Sequence, residues 1–328
     1  MPANLSPEYL RLDERLRQVR DPQEKLVILR EMLAAIPKHK GTDKLQADLK
    51  RRISKMEEGV QQRAKRGGRD PFHVPREGIG QVLLAGAPNA GKSSLLSKLT
   101  NATPAVAGYP FTTHQPLPGM VAYEDVQIQL VDMPPLSRDY TEAALFNTYR
   151  VGDIILLVID MSDPDPAVVV QECIDLFDEH LIHLVPHLVD SAGNLSTIEK
   201  QALILANKID LAGASAPGRL AEAGDLELPV LNCSAETGEG LAGLPERLFH
   251  ELRLVRVYTK KPGKKFVRDA PFVLPEGSTV LDVARAIHKD FADGLRSVRL
   301  WGSGKHDGIP APRDHIVADG DILEIHTR

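Results

Sequence analysis

The chain has 328 residues, of which 42% are hydrophobic and 26% charged, so it has enough length and apolar content for two or three globular domains. Its two cysteines, Cys173 and Cys233, lie in apolar runs, which indicates buried thiols of a reducing compartment and excludes a disulfide framework or a zinc site. We expect a cytoplasmic protein without membrane contact, because the first residues do not resemble a signal peptide and no apolar run could span a bilayer.

Charge is distributed unevenly along the chain. Residues 79–253 carry a net charge of −14, whereas residues 1–78 carry +6 and residues 254–328 carry +3. Basic flanks around an acidic centre are compatible with a catalytic domain whose appendages contact nucleic acid. Solvated faces of basic helices would give the same pattern, and on charge alone we prefer that interpretation.

Residues 1–78 are predicted to form a helical hairpin and a linker. Asp21-Pro-Gln-Glu24 is a helix start, with a capping residue, a proline at the first helical position and a glutamate three residues after the cap. The break at Pro37–Thr42 separates this helix from a second one, whose apolar stripe runs from Leu45 to Met56. Glycine and proline mark residues 66–78 as the linker.

Strands and helices alternate along residues 79–253, which predicts a mostly parallel sheet with helices on both faces. Two of the strands are joined so closely, at Glu124-Asp125, that they should form a hairpin at an antiparallel edge. Strands are expected at 81–86, 118–124, 126–132, 153–161, 202–207 and 229–234. Helices should begin near Gly91, Thr141, Pro166, Pro217 and Leu241, and residues 164–200 should form a surface helix plus a loop at 186–196.

Residues 254–328 are predicted to form a small β-rich module with one helix. That helix should span 279–292 and begin at a capping box made by Thr279 and Asp282. Asp319-Gly-Asp321 indicates a hairpin turn. The expected strands are 255–259, 272–274, 297–301 and 322–325.

The segment Gly86–Ser93 fits G-x-x-x-x-G-K-[ST], the phosphate-binding loop, and lies between a predicted strand and a predicted helix. Its glycines let backbone N–H groups face an anion, and the helix that follows adds its dipole. Lys92 can reach the β- and γ-phosphates, and the Ser93 hydroxyl can ligate Mg²⁺. The residues assigned here to the nucleotide are Ala87, Pro88, Asn89, Ala90, Gly91, Lys92, Ser93 and Ser94.

The motif Asn207-Lys208-Ile209-Asp210 follows an apolar strand and predicts selectivity for guanine. The Asp210 carboxylate can accept hydrogen bonds from guanine N1–H and the 2-amino group, a donor pair that adenine lacks. Asn207 can serve the O6/N7 edge of the base or brace the phosphate loop. The aliphatic stem of Lys208 can lie on the face of the base.

Three further segments are assigned to the same site. Backbone N–H groups at Ser234 and Ala235, at the end of the next strand, would contact guanine O6. Asp132 ends a strand and would face Mg²⁺ through water, and Thr113 is our candidate for a second hydroxyl ligand of the metal. The nucleotide-binding set is completed by Phe111 and Thr112, and the candidate catalytic residues are Lys92, Thr113 and Asp132.

These motifs together resemble those of the Obg-related GTPases. The resemblance rests on Gly86–Ser93, Tyr109-Pro-Phe-Thr-Thr113, Asp132, Asn207–Asp210 and Ser234-Ala-Glu236. Residues 255–265, 277–280, 286–291 and 319–322 resemble a TGS domain, a β-grasp module shared with threonyl-tRNA synthetases and stringent-response enzymes. With Pro37-Lys-His-Lys-Gly-Thr42, almost the whole chain is similar to the developmentally regulated GTP-binding (DRG) proteins.

The resemblance implies a fold, a function and partners. It implies a helical hairpin and linker at 1–78, a Ras-like α/β P-loop GTPase domain at 79–253 and a TGS domain at 254–328. It also implies GTP binding, slow Mg²⁺-dependent hydrolysis, and association with the ribosome or a structured RNA, with a protein regulator as a further partner. In relatives that need potassium, the asparagine in the place of Asn89 helps to hold K⁺, so Asn89 is a candidate K⁺ ligand.

One segment departs from the family pattern. The family has Asp-x-Pro-Gly after the third strand, and here the segment is Asp132-Met-Pro-Pro135. The glycine N–H normally bonds the γ-phosphate, and Pro135 has no N–H, which removes about 1.5–3 kcal/mol of interaction. Leu136 is apolar, so no side-chain base is expected there.

From this departure we predict slow intrinsic hydrolysis and weak preference for GTP over GDP. An alternative hypothesis is a guanine-nucleotide-sensing module with little or no hydrolysis. A third hypothesis is that residues 254–328 bind a small regulatory nucleotide.

Overall fold

The computed structural model describes residues 49, 71–100, 115–138, 141–188, 197–212, 220, 227–303 and 307–327. The chain divides into two compact units, Met1–Pro71 and Phe72–Arg328. Three predictions fall outside the described residues: the helical hairpin, the Phe111–Thr113 loop and the helix start near Pro217.

A seven-stranded sheet forms the first part of the second unit. Its strands are β1 (Gln81–Ala85), β2 (Leu117–Tyr123), β3 (Val126–Asp132), β4 (Ile154–Asp160), β5 (Ile182–Val185), β6 (Ile198–Asn207) and β7 (Val230–Asn232). The strand order is β2-β3-β1-β4-β6-β5, and β7 lies beside the second half of β6. All pairs are parallel except β2 with β3, which confirms the predicted parallel sheet with one antiparallel edge.

Helices cover both faces of this sheet. They are α1 (Lys92–Leu99), α2 (Leu145–Val151), α3 (Pro166–Glu179) and α4 (Leu244–Glu251). Helices α2 and α3 bury Phe146, Tyr149 and Phe177 on one face, and α1 and α4 bury Leu96 and Phe249 on the other. Each such side chain contributes about 1.5–3 kcal/mol. Within the described ranges, no helix is long and apolar enough to cross a membrane.

The predicted surface helix and loop at 164–200 is wrong in one part, because α3 is followed by β5. Leu181 takes a positive φ of 60°, which separates the helix from the strand. In β5 only Ile182 and Leu184 face the core, and His183 between them is exposed. Such a short alternation is a weak sequence signal, and pairing with β6 decides the structure.

A second, five-stranded sheet forms the C-terminal part. Its strands are β8 (Leu254–Lys260), β9 (Phe272–Pro275), β10 (Leu295–Trp301), β11 (Ile309–Ala311) and β12 (Asp321–Thr327), in the order β11-β10-β12-β8-β9. Strands β8 and β12 are parallel and the other pairs antiparallel. Helices α5 (Val280–Ile287) and α6 (Lys289–Asp293) accompany this sheet, and Thr279 and Asp282 form the predicted capping box.

Two predictions for this module need correction. The helix expected at 279–292 is interrupted at His288, whose backbone is extended and whose Nδ1 accepts a hydrogen bond of 3.2 Å from the N–H of Asp290. The turn at Asp319-Gly320 does not form a hairpin, because β12 pairs with β10 and β8. Instead, the buried Asp321 carboxylate accepts bonds from the backbone N–H groups of Ser303 and Ala318.

Arg256 of β8 connects the two sheets. Its guanidinium donates to Asp319 at 2.7 Å, in the turn before β12, and to Glu124 at 2.6 Å, in the turn between β2 and β3. It also lies over the rings of Tyr123 and Phe249, with 5.2 and 4.9 Å to the centroids. Only 7% of the Arg256 side chain is exposed, so this contact is a buried, charged link.

Candidate guanine-nucleotide site

The phosphate loop leaves the buried end of β1 and enters α1. Gly86 has a φ of 145°, and a Cβ there would lie 2.3 Å from the carbonyl oxygen of Val158. Gly91 has a φ of 96°, and its Cβ would lie 2.2 Å from the Asn207 amide nitrogen. Both positions therefore require glycine. Asn89, at the exposed tip of the loop, has a φ of 61°.

Lys92 is folded back onto its own loop. Its ammonium donates to the carbonyl oxygens of Gly86 at 2.9 Å and Ala87 at 3.0 Å. Burial lowers the pKa of Lys92 to about 8, although the nearby Asp132 carboxylate works in the opposite direction. A poorly hydrated cation at the base of an anion-binding loop is suited to contact phosphate oxygens.

Ser93 and Asp132 bring two oxygen ligands together beside the loop. The Ser93 hydroxyl donates a 2.5 Å hydrogen bond to Oδ2 of Asp132, from α1 to the end of β3. Ser93 is exposed and Asp132 is half-buried. A hydroxyl next to a carboxylate is the kind of oxygen donor set that Mg²⁺ prefers, so the residues present fit this metal.

The segment after Asp132 is fastened to the phosphate loop. The Met133 N–H bonds the Leu84 carbonyl at 3.3 Å, and the Leu136 N–H bonds the Gly86 carbonyl at 3.0 Å. Both side chains are buried, with 2% and 3% exposed. Since the two residues between them are prolines, each position of 133–136 either lacks an N–H or uses it within the protein.

Asn207 joins two loops of the site to the end of β6. Its amide nitrogen donates to the Ala90 carbonyl at 2.9 Å, and its oxygen accepts from the Ala235 N–H at 3.0 Å. The Cys233 thiol lies 3.6 Å from the same oxygen. The side chain is fully buried. The sequence left two roles open for Asn207. These contacts correspond to the second role, in which the side chain braces the phosphate loop.

Lys208 and Asp210 lie on the loop that follows β6. The Lys208 ammonium forms a 2.6 Å ion pair with Oδ2 of Asp160, at the end of β4. Asp210 is exposed, and its carboxylate has no hydrogen-bond partner within the described part of the chain. The sequence analysis missed Asp160. The available signal was an acidic residue at the carboxyl end of a buried strand, which is where ligands of parallel sheets bind.

Ser234 and Ala235 begin a tight turn after β7. The buried Ser234 hydroxyl accepts a hydrogen bond of 3.1 Å from the Thr237 N–H. The Ala235 N–H is occupied by Asn207, so a bond to guanine O6 would have to replace or share that contact. The contact of Ala235 with guanine therefore stays a prediction.

The predicted site residues that the structure describes lie at the carboxyl ends of β1, β3, β6 and β7. These strand ends meet on the same side of the sheet. Direct contacts join Lys92, Ser93 and Asp132 to the phosphate loop, and join Asn207 to Ala90 and Ala235. Phe111, Thr112 and Thr113 lie outside the described residues.

Comparisons with known proteins agree with this geometry. A family model for 50S ribosome-binding GTPases matches residues 81–208, and a TGS-domain model matches residues 255–327. An uncharacterized GTP-binding protein of Methanocaldococcus jannaschii is 30% identical over 92% of each chain. The developmentally regulated G-protein 2 of Arabidopsis thaliana is 27% identical over 89% of this chain and 88% of its own.

A solved structure supports the fold alone. The crystal structure of a GTP-binding protein from Pyrococcus horikoshii has a TM-score of 0.51 and 17% identity, and the match covers 76% of this chain and all of the other. The predicted combination of a P-loop GTPase domain and a TGS domain is thus confirmed. The chain belongs to the developmentally regulated GTP-binding (DRG) family of Obg-related GTPases.

Proposed function

We propose that the chain binds GTP and GDP at this site and hydrolyses GTP slowly, with Mg²⁺. The observation that carries the proposal is the position of Asn207, between the Ala90 carbonyl and the Ala235 N–H. One buried side chain thereby fixes the guanine-recognition motif against the phosphate loop. Asp210, exposed on the same motif, would read the guanine edge.

The remaining residues are assigned by their chemistry. The Lys92 ammonium would exchange its carbonyl partners for β- and γ-phosphate oxygens, and Thr113 would supply a second hydroxyl to the metal. Ser93 and Asp132 would hold Mg²⁺, which when bound neutralises charge on the phosphates. Asn89, at the exposed loop tip, is our candidate for binding K⁺. Among the described residues, no side-chain base for the attacking water is assigned.

Single-turnover GTP hydrolysis tests this proposal. We expect slow turnover with Mg²⁺, no turnover with EDTA, and faster turnover in K⁺ than in Na⁺. Asp210→Asn is the matched specificity control, because it should lower affinity for GDP and raise affinity for xanthosine diphosphate. No binding of guanine nucleotides by the wild-type protein would disprove the proposal. Equal rates in K⁺ and Na⁺ would remove only the role of Asn89.

A second candidate function is nucleotide sensing with little or no hydrolysis. The engagement of the Met133 and Leu136 N–H groups inside the protein favours it, since prolines occupy the two positions between them. Residues 133–136 would then have no unused N–H group with which to bind a γ-phosphate, the group by which GTP differs from GDP. Nearly equal affinities for GDP and a non-hydrolysable GTP analogue, with no turnover on added ribosomes, would support sensing over catalysis.

We further propose that the ribosome or a structured RNA is the partner. The description of the matching family model and the net charge of +3 on residues 254–328 support this. Lys261, Lys264 and Lys265 lie in an exposed loop after β8, where they could contact phosphates. Cosedimentation with ribosomes should weaken as salt rises and on substitution of the three lysines by glutamine. Binding that is insensitive to both changes would contradict this contact.

A further inference from the structure

Asp160 lies next to the end of β6, where it is close to both Asn207 and Lys208. Asp160 is the last residue of β4 and lies directly opposite Asn207 in the β4–β6 ladder. The next N–H, of Met161, donates to the Asn207 carbonyl oxygen at 2.9 Å. The Asp160 backbone is therefore fixed relative to the guanine-recognition motif before its side chain is considered.

Both oxygens of the Asp160 carboxylate accept hydrogen bonds. Oδ2 accepts from the Lys208 ammonium at 2.6 Å. Oδ1 accepts from the Ser162 N–H at 2.9 Å and from the Ser162 hydroxyl at 2.6 Å. Ser162 thus fixes one oxygen of the carboxylate, so that the other is presented to Lys208.

Lys208 is constrained at both ends. Its backbone has a φ of 62°, in the left-handed region that a lysine rarely adopts. A Cβ placed on Gly91 would lie 3.9 Å from Cε of Lys208, so the stem passes close to the phosphate loop before it reaches Asp160. A free lysine side chain has roughly 2 kcal/mol of rotamer entropy to lose when it is ordered. Here the ion pair with Asp160 already restricts the Lys208 side chain before a base arrives.

We propose that Asp160 is a positioning residue for the nucleotide, which holds the Lys208 stem in place as one wall of the guanine pocket. This inference rests on the proposed guanine site. Asp160 acts through Lys208 and does not touch the base. The competing explanation is a structural ion pair, since pairs with about a quarter of each side chain exposed, 28% for Lys208 and 26% for Asp160, often contribute little.

A double-mutant cycle on GDP release separates these explanations. The variants are Asp160→Asn, Lys208→Met and the double mutant, and the readout is the dissociation rate of fluorescent GDP. We expect Asp160→Asn to accelerate release roughly tenfold in the wild-type background and less than about twofold in the Lys208→Met background, because the effect passes through the lysine. Asp160→Glu keeps a carboxylate for Lys208, so it should restore part of the slow release, a rescue that a loss of folding stability alone would not predict.

Asp163→Asn is the matched control. Its carboxylate accepts a bond of 2.9 Å from the Asp165 N–H in the same turn, and the substitution should leave GDP release unchanged. Equal acceleration by Asp160→Asn in both backgrounds, or none in the wild type, would overturn the positioning role. Failure of the guanine site itself would be seen separately, as Asp210→Asn not shifting preference from GDP to xanthosine diphosphate.

Discussion

The side-chain amide of Asn207 donates a hydrogen bond of 2.9 Å to the carbonyl oxygen of Ala90, so the end of β6 is in direct contact with the phosphate loop. The same side chain accepts the N–H of Ala235, from the turn after β7. Three loops that are far apart in the sequence thus share one buried side chain, and the shape of the site depends on it.

Asn207→Ala should destabilise the nucleotide-free protein by about 2–3 kcal/mol, because it leaves the Ala90 carbonyl and the Ala235 N–H without their partner in a buried place. Urea unfolding measures the change. Asn147→Ala is the control, since Asn147 is exposed and its side-chain oxygen accepts a bond of 3.1 Å from Arg150. The control should cost under about 0.5 kcal/mol, and an equal loss in both variants would contradict the bracing role.

Gly91→Ala should abolish tight nucleotide binding. The new Cβ would lie 2.2 Å from the Asn207 amide nitrogen, at a φ of 96° that alanine avoids, so Asn207 must move away from Ala90. Gly243→Ala is the control, because no atom lies within 4 Å of the added carbon and the φ of −88° suits any residue. Calorimetric titration with GDP gives both affinities, and unimpaired binding by Gly91→Ala would be the contrary result.

Because of Lys92, the free energy of unfolding should depend on pH in the alkaline range. Burial lowers its pKa to about 8 in the folded chain, below the ordinary value of 10.5, so the folded state loses its proton first. The cost of the buried cation is fully present below pH 8 and is relieved as pH rises from 8 towards 10.5, so this residue's contribution to stability increases over that range. The gain should approach about 3 kcal/mol.

The measurement is the free energy of unfolding of the nucleotide-free protein against pH. The difference between wild type and Lys92→Met isolates the lysine. A difference that is flat from pH 7.5 to 10 would show that the Lys92 pKa is not lowered.

Pro135→Gly should increase the preference for GTP over GDP. Glycine restores an N–H between the bonded Met133 and Leu136, where one charge-assisted bond to a γ-phosphate corresponds to a factor of roughly ten or more in affinity. Affinities for GDP and a non-hydrolysable GTP analogue measure the change. Pro134→Ala is the control, because it introduces an N–H at a position where the family pattern also has proline. It should change the preference for GTP over GDP less than Pro135→Gly does. No shift in Pro135→Gly would mean that the missing N–H is not the limiting contact.

Arg256→Met should destabilise the unit Phe72–Arg328 by about 2 kcal/mol. The substitution removes the cation that Asp319 shares with Glu124 and Asp125. The penalty is reduced because Arg268 still pairs with Glu124 and Asp125 and because the three carboxylates are partly exposed, from 24% to 49%. Arg253→Met is the control, since 68% of that side chain is exposed in its pair with Glu276. Urea unfolding should show under about 0.5 kcal/mol for the control. Equal destabilisation by the two substitutions would contradict a stabilising role of Arg256 beyond that of an exposed ion pair.

The local parts of the site could be predicted from the sequence because their chemistry lies within short contiguous segments. The phosphate loop needs glycine at particular backbone angles, and Gly91 has such an angle. The carboxyl ends of β1, β3 and β6 agree with the prediction to within a residue, because the apolar runs end there at Gly86, Asp132 and Asn207. The capping box at Thr279 is equally local.

Features that depend on tertiary pairing could not be predicted in this way. Strands β5 and β11 are too short to show a period, and the interruption of the 279–292 helix depends on the extended backbone of His288. The sequence shows Asp160 at the end of an apolar run, but its contact with Lys208 arises only because β4 and β6 are neighbours in register. The choice between two roles for Asn207 likewise needed the distance to Ala90.

The β2–β3 hairpin has Asp132 at one end and the turn Glu124-Asp125 at the other. Its ladder runs from Leu117 opposite Asp132 to Tyr123 opposite Val126, a span of roughly 20 Å. At the turn, Arg256 and Arg268 donate to both carboxylates, and the Tyr258 hydroxyl donates to Asp125. A sliding of β3 along β1 would therefore either break these bonds or carry the C-terminal sheet with it. The C-terminal sheet is consequently tied, through the β2–β3 hairpin, to the strand that carries Asp132.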